Sequence, residues 1–259
     1  GGSVMQKLNI NGISFIAGRW PMDQSLPAVV FIHGAAGSKM FWKEQIQGLT
    51  DCCNPVAVDL PGHGEHKGGG LDTVDGYADA VERFIEAAGL VSPVISGLSM
   101  GGAIVQKLLL DGKLNYKAGI IVNSGARLKV MPAIFELIQN NYSGYVSSLP
   151  VMGASDKCDK SKLADIIADA ENSSPELSSG DFTACNNFDV SERLGEIKVP
   201  LLVLTAEEDR LSPVKYGKFI HERVPGSLFA TIPGAGHFSP VEKPDEVNDT
   251  IRNFLKEIK

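Results

Sequence analysis

Several things are missing from this chain, and each absence narrows the reading. No apolar run in the 259 residues approaches the ~20 needed to span a bilayer, so no transmembrane helix and no membrane partner are expected. No basic stripe stands out: 24 Lys and Arg face 31 Asp and Glu, a net charge of −7. Nucleic acid is therefore not an expected partner. Cysteine is scarce. Cys52, Cys53, Cys158 and Cys185 form no C-x-x-C pair and no His/Cys cluster with ligand spacing, which argues against a zinc site. Adjacent Cys52 and Cys53 are poor disulfide partners, so reduced thiols and a cytoplasmic location are expected. The opening residues show no charged segment followed by an apolar one; Gly1 to Ser3 read as a cloning remnant and Met5 as the natural start. No internal repeat or low-complexity tract appears.

What is present is an ordinary globular composition, 43% hydrophobic and 21% charged, long enough for one large domain or a domain carrying an insertion. Asn11-Gly12 between two short apolar segments signals a hairpin. Apolar runs at 28–32, 55–58, 93–97, 118–122, 201–204 and 228–232 read as strands, with helical spacing between most of them. Strands alternating with helices predict an α/β fold, a mostly parallel sheet covered on both faces. From residue 127 to 190 the strand signal fails. Met131, Ile134, Phe135 and Ile138 have helical spacing there, as do Leu163, Ile166, Ile167 and Ala170. This predicts a helical lid over residues 127–190, inserted into a core made of 4–126 and 191–259.

Gly97-Leu98-Ser99-Met100-Gly101 lies between an apolar run and a helical stretch. A serine in a sharp strand-to-helix turn has its hydroxyl exposed, and side chains two residues to either side would crowd it. The pentapeptide alone is weak in a chain with 28 Gly. It gains weight from other strand ends: His33-Gly34-Ala35-Ala36-Gly37 after one, Glu207-Glu208-Asp209 after another, and Gly236-His237 after the last. Catalytic groups in parallel sheets collect at such carboxyl ends.

With Asp59-Leu60-Pro61-Gly62-His63-Gly64 added, these motifs resemble serine hydrolases of the α/β-hydrolase superfamily, of the small carboxylesterase and enol-lactonase kind. The resemblance covers nearly the whole chain and is specific for the superfamily, not for a substrate. It implies an α/β-hydrolase fold with an eight-stranded sheet and a lid. Its catalytic triad would be Ser99 as nucleophile, His237 as general base and acid, and Asp209 as the acid orienting the imidazole, with Glu207 and Glu208 as rivals for that last role. The backbone N–H groups of Ala35 and Met100 would form the oxyanion hole.

Trp42, Phe135, Ile138, Tyr142 and Phe238 are candidates to touch substrate, although plain packing explains such side chains as well. Of the remaining histidines, His33 is expected to brace the oxyanion loop, His63 to serve a turn, and His66 and His221 to face solvent. Asp59 is expected to order its loop. The first functional expectation is a carboxylesterase acting on short to medium acyl esters through an acyl-enzyme, without cofactor or metal, as a monomer or homodimer. The alternatives are an enol-lactonase or a carbon–carbon hydrolase of aromatic ring-cleavage products on the same triad. The ring-cleavage enzymes commonly carry Trp after the histidine, where this chain has Phe238. A hydrolase-fold binding protein without turnover is the rival from another class.

Overall fold

Asn11 and Gly12 take positive φ values of 53° and 83°, the pair of left-handed residues that a tight two-residue hairpin turn requires. They join β1 (Gln6–Ile10) to β2 (Ile13–Ala17), the first two strands of the sheet. This computed structural model describes residues 4–258, so the reading of Gly1 to Ser3 lies outside the described residues.

The other strands are β3 (Ala28–Ile32), β4 (Asn54–Val58), β5 (Val94–Leu98), β6 (Ala118–Val122), β7 (Leu201–Ala206) and β8 (Leu228–Ile232). They form one eight-stranded sheet in the order β1-β2-β4-β3-β5-β6-β7-β8. Only the pairings of β2 with β1 and β4 are antiparallel. The inner strands are apolar on both faces because both faces are covered. Alternate residues go to opposite sides: Val30 and Ile32 enter one core cluster, Val29 and Phe31 the other. Helices Val74–Ala87, Met100–Asp111 and Val214–Arg223 contribute to the first; helices Lys43–Gly48 and Pro244–Glu257 contribute to the second.

Between β6 and β7 the chain forms helices Pro132–Asn140, Tyr142–Gly153, Ala164–Asn172 and Pro175–Asn187, with a short 3-10 turn at Lys160–Leu163. Local signals place their starts. Asn141 accepts the Gly144 N–H, Ser174 accepts the Leu177 N–H, and Pro175 stands in the first turn where its missing N–H costs nothing. A bridge between Arg127 and Asp189 ties the two ends of this segment. Ile138, Tyr145, Val146 and Ala170 make a small apolar cluster of their own, while Ala184, Cys185 and Phe188 join the main core. Met131 is 71% exposed and takes no part in that packing, because it precedes the first helical residue.

Candidate active site

β5 ends at Leu98 and the next helix begins at Met100, leaving Ser99 alone in the turn with φ 55° and ψ −113°. A side-chain-bearing residue held there stores roughly 1–3 kcal/mol of strain. The surroundings impose it. The Ser99 N–H donates to the Val122 carbonyl at 3.0 Å, and its own carbonyl accepts the Ser124 hydroxyl at 2.7 Å. A Cβ at Gly97 would collide with the Gly101 carbonyl, and one at Gly101 with the Ile32 carbonyl. Both glycines are required by backbone packed against backbone.

Asp209 follows β7 and is buried. Its Oδ2 lies 2.9 Å from His237 Nδ1, and its Oδ1 accepts the N–H groups of Leu211 and Ser212, each at 2.9 Å. With the Nδ1 proton committed to Asp209, Nε2 is left free to accept one. The neighbouring acids are engaged elsewhere: Glu207 accepts the Gly234 N–H, and Glu208 accepts the Ser155 hydroxyl. Only Asp209 of the three faces the imidazole.

The histidine loop is clamped from three sides. Glu242 accepts the N–H groups of Gly236 and Phe238 at 3.0 Å each, and the His237 N–H donates to the Gly153 carbonyl at 2.7 Å. Asn123 Nδ2 donates to the His237 carbonyl at 2.9 Å. Asn123 directly follows Val122, the residue that holds the Ser99 N–H. The end of β6 therefore brings the serine and histidine turns together. Among the described residues no hydrogen bond joins Ser99 to His237.

After β3, the His33–Ser38 loop passes beside the nucleophile: a Cβ at Gly34 would lie 3.5 Å from Ser99 Cβ. Two histidines support this loop in opposite charge states. His33 Nδ1 donates to the Gly34 carbonyl at 2.8 Å while Nε2 accepts the Leu60 N–H at 3.1 Å, so the ring is neutral. Burial, with the charge of His63 nearby, pushes it down to about 4. The His63 ring lies 5.0 Å away. Both its nitrogens face acceptors, the Pro61 carbonyl at 2.9 Å and Asp181 Oδ2 at 2.6 Å, so both carry protons. Burial alone would lower its pKa; the Asp181 carboxylate overrides that and raises it.

His63 is thus an ion-paired residue and not the plain turn residue its Gly neighbours suggest. His66 and His221 also depart from expectation. Each is half-buried, His66 against the Asp59 carbonyl and His221 against Ser227, stacked on Phe229. Asp59 orders its loop: it takes the backbone N–H and Nζ of Lys39, both at 2.8 Å, along with the Ser14 hydroxyl and the Glu65 N–H. Burial would raise its carboxyl, but these donors hold it below the usual carboxylate range.

The proposed substrate contacts fall in different places. Phe238 lies edge-on to His237, with ring centres 5.7 Å apart. Trp42 is fully buried against Phe31 and Phe41 in the core. Ile138 is buried among the inserted helices, and Tyr142 donates to the Ala170 carbonyl there at 2.6 Å. Phe135 is half-buried on the same helix as Ile138. A cavity of about 650 Å3 opens between Gly68–Asp72 and the start of helix Pro175–Asn187; Ser99, Asp209 and His237 do not line it. No helix among the described residues is long and apolar enough to cross a membrane.

Known proteins share this fold. Residues 29–250 match the model of the alpha/beta hydrolase family. Over 244 residues the chain is 24% identical to 3-oxoadipate enol-lactonase 1 of Acinetobacter baylyi, covering 91% of each chain. It is 25% identical over 238 residues to the pimeloyl-[acyl-carrier protein] methyl ester esterase of Proteus mirabilis, covering 86% of this chain and 90% of that one. A solved thermophilic esterase superposes with a TM-score of 0.82 at 30% identity, covering 98% of both chains.

Proposed function

Since the chain belongs to the α/β-hydrolase family and is a hydrolase, we propose that it is a carboxylesterase that cleaves short to medium acyl esters through an acyl-enzyme on Ser99. One observation carries the reading: Ser99 sits strained at the head of a helix and is held by Val122 at the end of β6, where the next residue, Asn123, holds the turn of the buried His237–Asp209 pair. A turn that costs energy to maintain needs a reason, and exposing a nucleophile supplies one.

In this reading Ser99 Oγ attacks the ester carbonyl as His237 Nε2 takes its proton. Asp209 keeps the Nδ1 tautomer and stabilises the imidazolium. The tetrahedral oxyanion accepts hydrogen bonds from the N–H groups of Ala35 and Met100, the latter at a helix start where such groups have no internal partner. Collapse expels the alcohol, protonated by His237, and water repeats the cycle on the acyl-enzyme. The helices of residues 127–190 act as the lid, and Phe238, edge-on to the imidazole, is the substrate contact beside it. Lactone hydrolysis is the second reading. It is favoured by the named relative and by the run His237-Phe238-Ser239-Pro240-Val241-Glu242.

The test is hydrolysis of p-nitrophenyl esters and of enol-lactones by wild type and Ser99→Ala, with fluorophosphonate labelling. Replacing the nucleophile is expected to cost at least about 10⁴-fold in kcat and to abolish labelling. Equal rates in both proteins end the proposal.

A further inference from the structure

Asp181 projects from the middle of helix Pro175–Asn187 into the base of the His33–Ser38 loop and is fully buried. It accepts the Ala36 N–H at 2.9 Å, His63 Nε2 at 2.6 Å and the Tyr77 hydroxyl at 2.5 Å. These partners lie on separate stretches: Ala36 after β3, His63 after β4, and Tyr77 on helix Val74–Ala87. Nothing in their local sequence calls for a carboxylate.

Ala36 is the informative partner. Its φ is 56°, a left-handed conformation that costs an alanine energy and that glycine would adopt freely. The chain places Ala there, and the bond to Asp181 holds it. The Ala36 N–H lies in the same peptide as the Ala35 carbonyl, so the bond to Asp181 fixes Ala35 from its carboxyl side. Gly34, one residue earlier, packs against Ser99. The aim of the Ala35 N–H therefore depends on an anchor on a helix 145 positions away in the chain.

The anchor works only as a pair. A carboxylate this deeply buried needs a counter-charge, and His63 supplies it because both its ring nitrogens face acceptors. We propose that Asp181, paired with the His63 imidazolium, is a positioning residue: it fixes the oxyanion loop and couples that loop to the overlying helix. This rests on the reading of Ser99 as an esterase nucleophile with Ala35 as one oxyanion donor. The charged and titratable groups around His63 are Asp181 from the overlying helix, Tyr77 with Cys185 beside it, His33 after β3 and Asp59 after β4. As pH rises and the imidazolium loses its proton, one of its two hydrogen bonds must break and the loop loosens.

The test compares wild type, Asp181→Asn and Tyr77→Phe on one p-nitrophenyl ester. Three quantities are read: kcat, KM and the inhibition constant of a boronic acid that mimics the tetrahedral intermediate. In Asp181→Asn, kcat is expected to fall about 10- to 100-fold, the scale of an impaired oxyanion donor, with KM changed less than about threefold. Boronate affinity should fall in parallel with kcat/KM, which general loosening of the fold would not produce. The alkaline decline in wild-type kcat should be absent from the variant. Tyr77→Phe, which keeps the ion pair, should show the same parallel at a smaller scale; it carries the test if Asp181→Asn does not fold. Unchanged kcat and boronate affinity in a variant, with Ser99 still labelled by fluorophosphonate, would overturn the positioning role and leave the esterase reading standing. Failure of wild type to be labelled or to turn over would remove that reading, and this proposal with it.

Discussion

Asp181 and Asp169 reach the same loop from neighbouring helices and meet opposite treatment there. Asp181 is met by an N–H, an imidazolium and a phenol hydroxyl. Asp169 has the Ser38 hydroxyl, 2.9 Å from both its oxygens. Burial pushes the Asp169 carboxyl up to about 6, with the negative charges of Asp59 and Asp165 adding to the rise and the Ser38 hydroxyl opposing it. Asp181 is fully buried and Asp169 half-buried, the reverse of what burial alone would require, so burial does not separate them. The number and charge of the donors does. The same rule divides the adjacent rings of His33 and His63. Where partners are supplied, a buried charge becomes a structural bolt; where they are not, the group holds its proton or destabilises the fold.

The sharpest way to break this comparison is to truncate the satisfied carboxylate. Asp181→Ala leaves the His63 imidazolium buried without its counter-ion and is expected to cost about 3–5 kcal/mol of stability. Denaturant unfolding at pH 7 measures it; a loss under about 1 kcal/mol would show that the pair does not bear on the fold. The poorly satisfied carboxylate should respond with the opposite sign. Asp169 has its pKa raised on folding, so the folded state binds its proton more tightly. Stability from this group is present below the unfolded pKa near 4 and is lost as pH rises toward 6. Asp169→Asn keeps the shape and removes the titration. It should stabilise the protein by ~2 kcal/mol at pH 7 and make almost no difference at pH 4, read from unfolding curves at both. The smallest effect belongs to the ion pair beside it, Lys43 with Asp165 at 2.8 Å, where each side chain is 41% exposed. Lys43→Gln should change stability by less than about 1 kcal/mol, and less still in high salt.

The contrast also marks how much could be read before the structure. The strands at 28–32 and 118–122 coincide with β3 and β6, because a strand buried on both faces is a continuous apolar run; the run at 228–232 coincides with β8, an edge strand that is partly exposed. The serine turn was legible because glycine, serine and glycine stand at fixed local spacing. Of the inserted helices, Pro132–Asn140 and Ala164–Asn172 were legible from their apolar period; Tyr142–Gly153 and Pro175–Asn187 were not. The bolts were not. His63 and Asp181 are 118 positions apart in the chain, and no periodicity, turn signal or spacing connects them. No local pattern marks Asn123, yet its amide ties β6 to the histidine turn. Glu242 carries no local signal either; its grip on both neighbours of His237 appears only when helix Ser239–Glu242 folds back on the loop.

By itself the amino-acid order determined the layered α/β sheet and the strand ends where chemistry gathers. Those follow from solvent exclusion and backbone sterics acting over a few residues at a time. Which of three consecutive acids faces the imidazole, which histidine carries charge, and which distant helix steadies the loop beside Ser99 were decided by tertiary structure alone. Electrostatics and hydrogen bonding between buried groups depend on where partners come to rest in space, and that is set only when the whole sheet has closed around them.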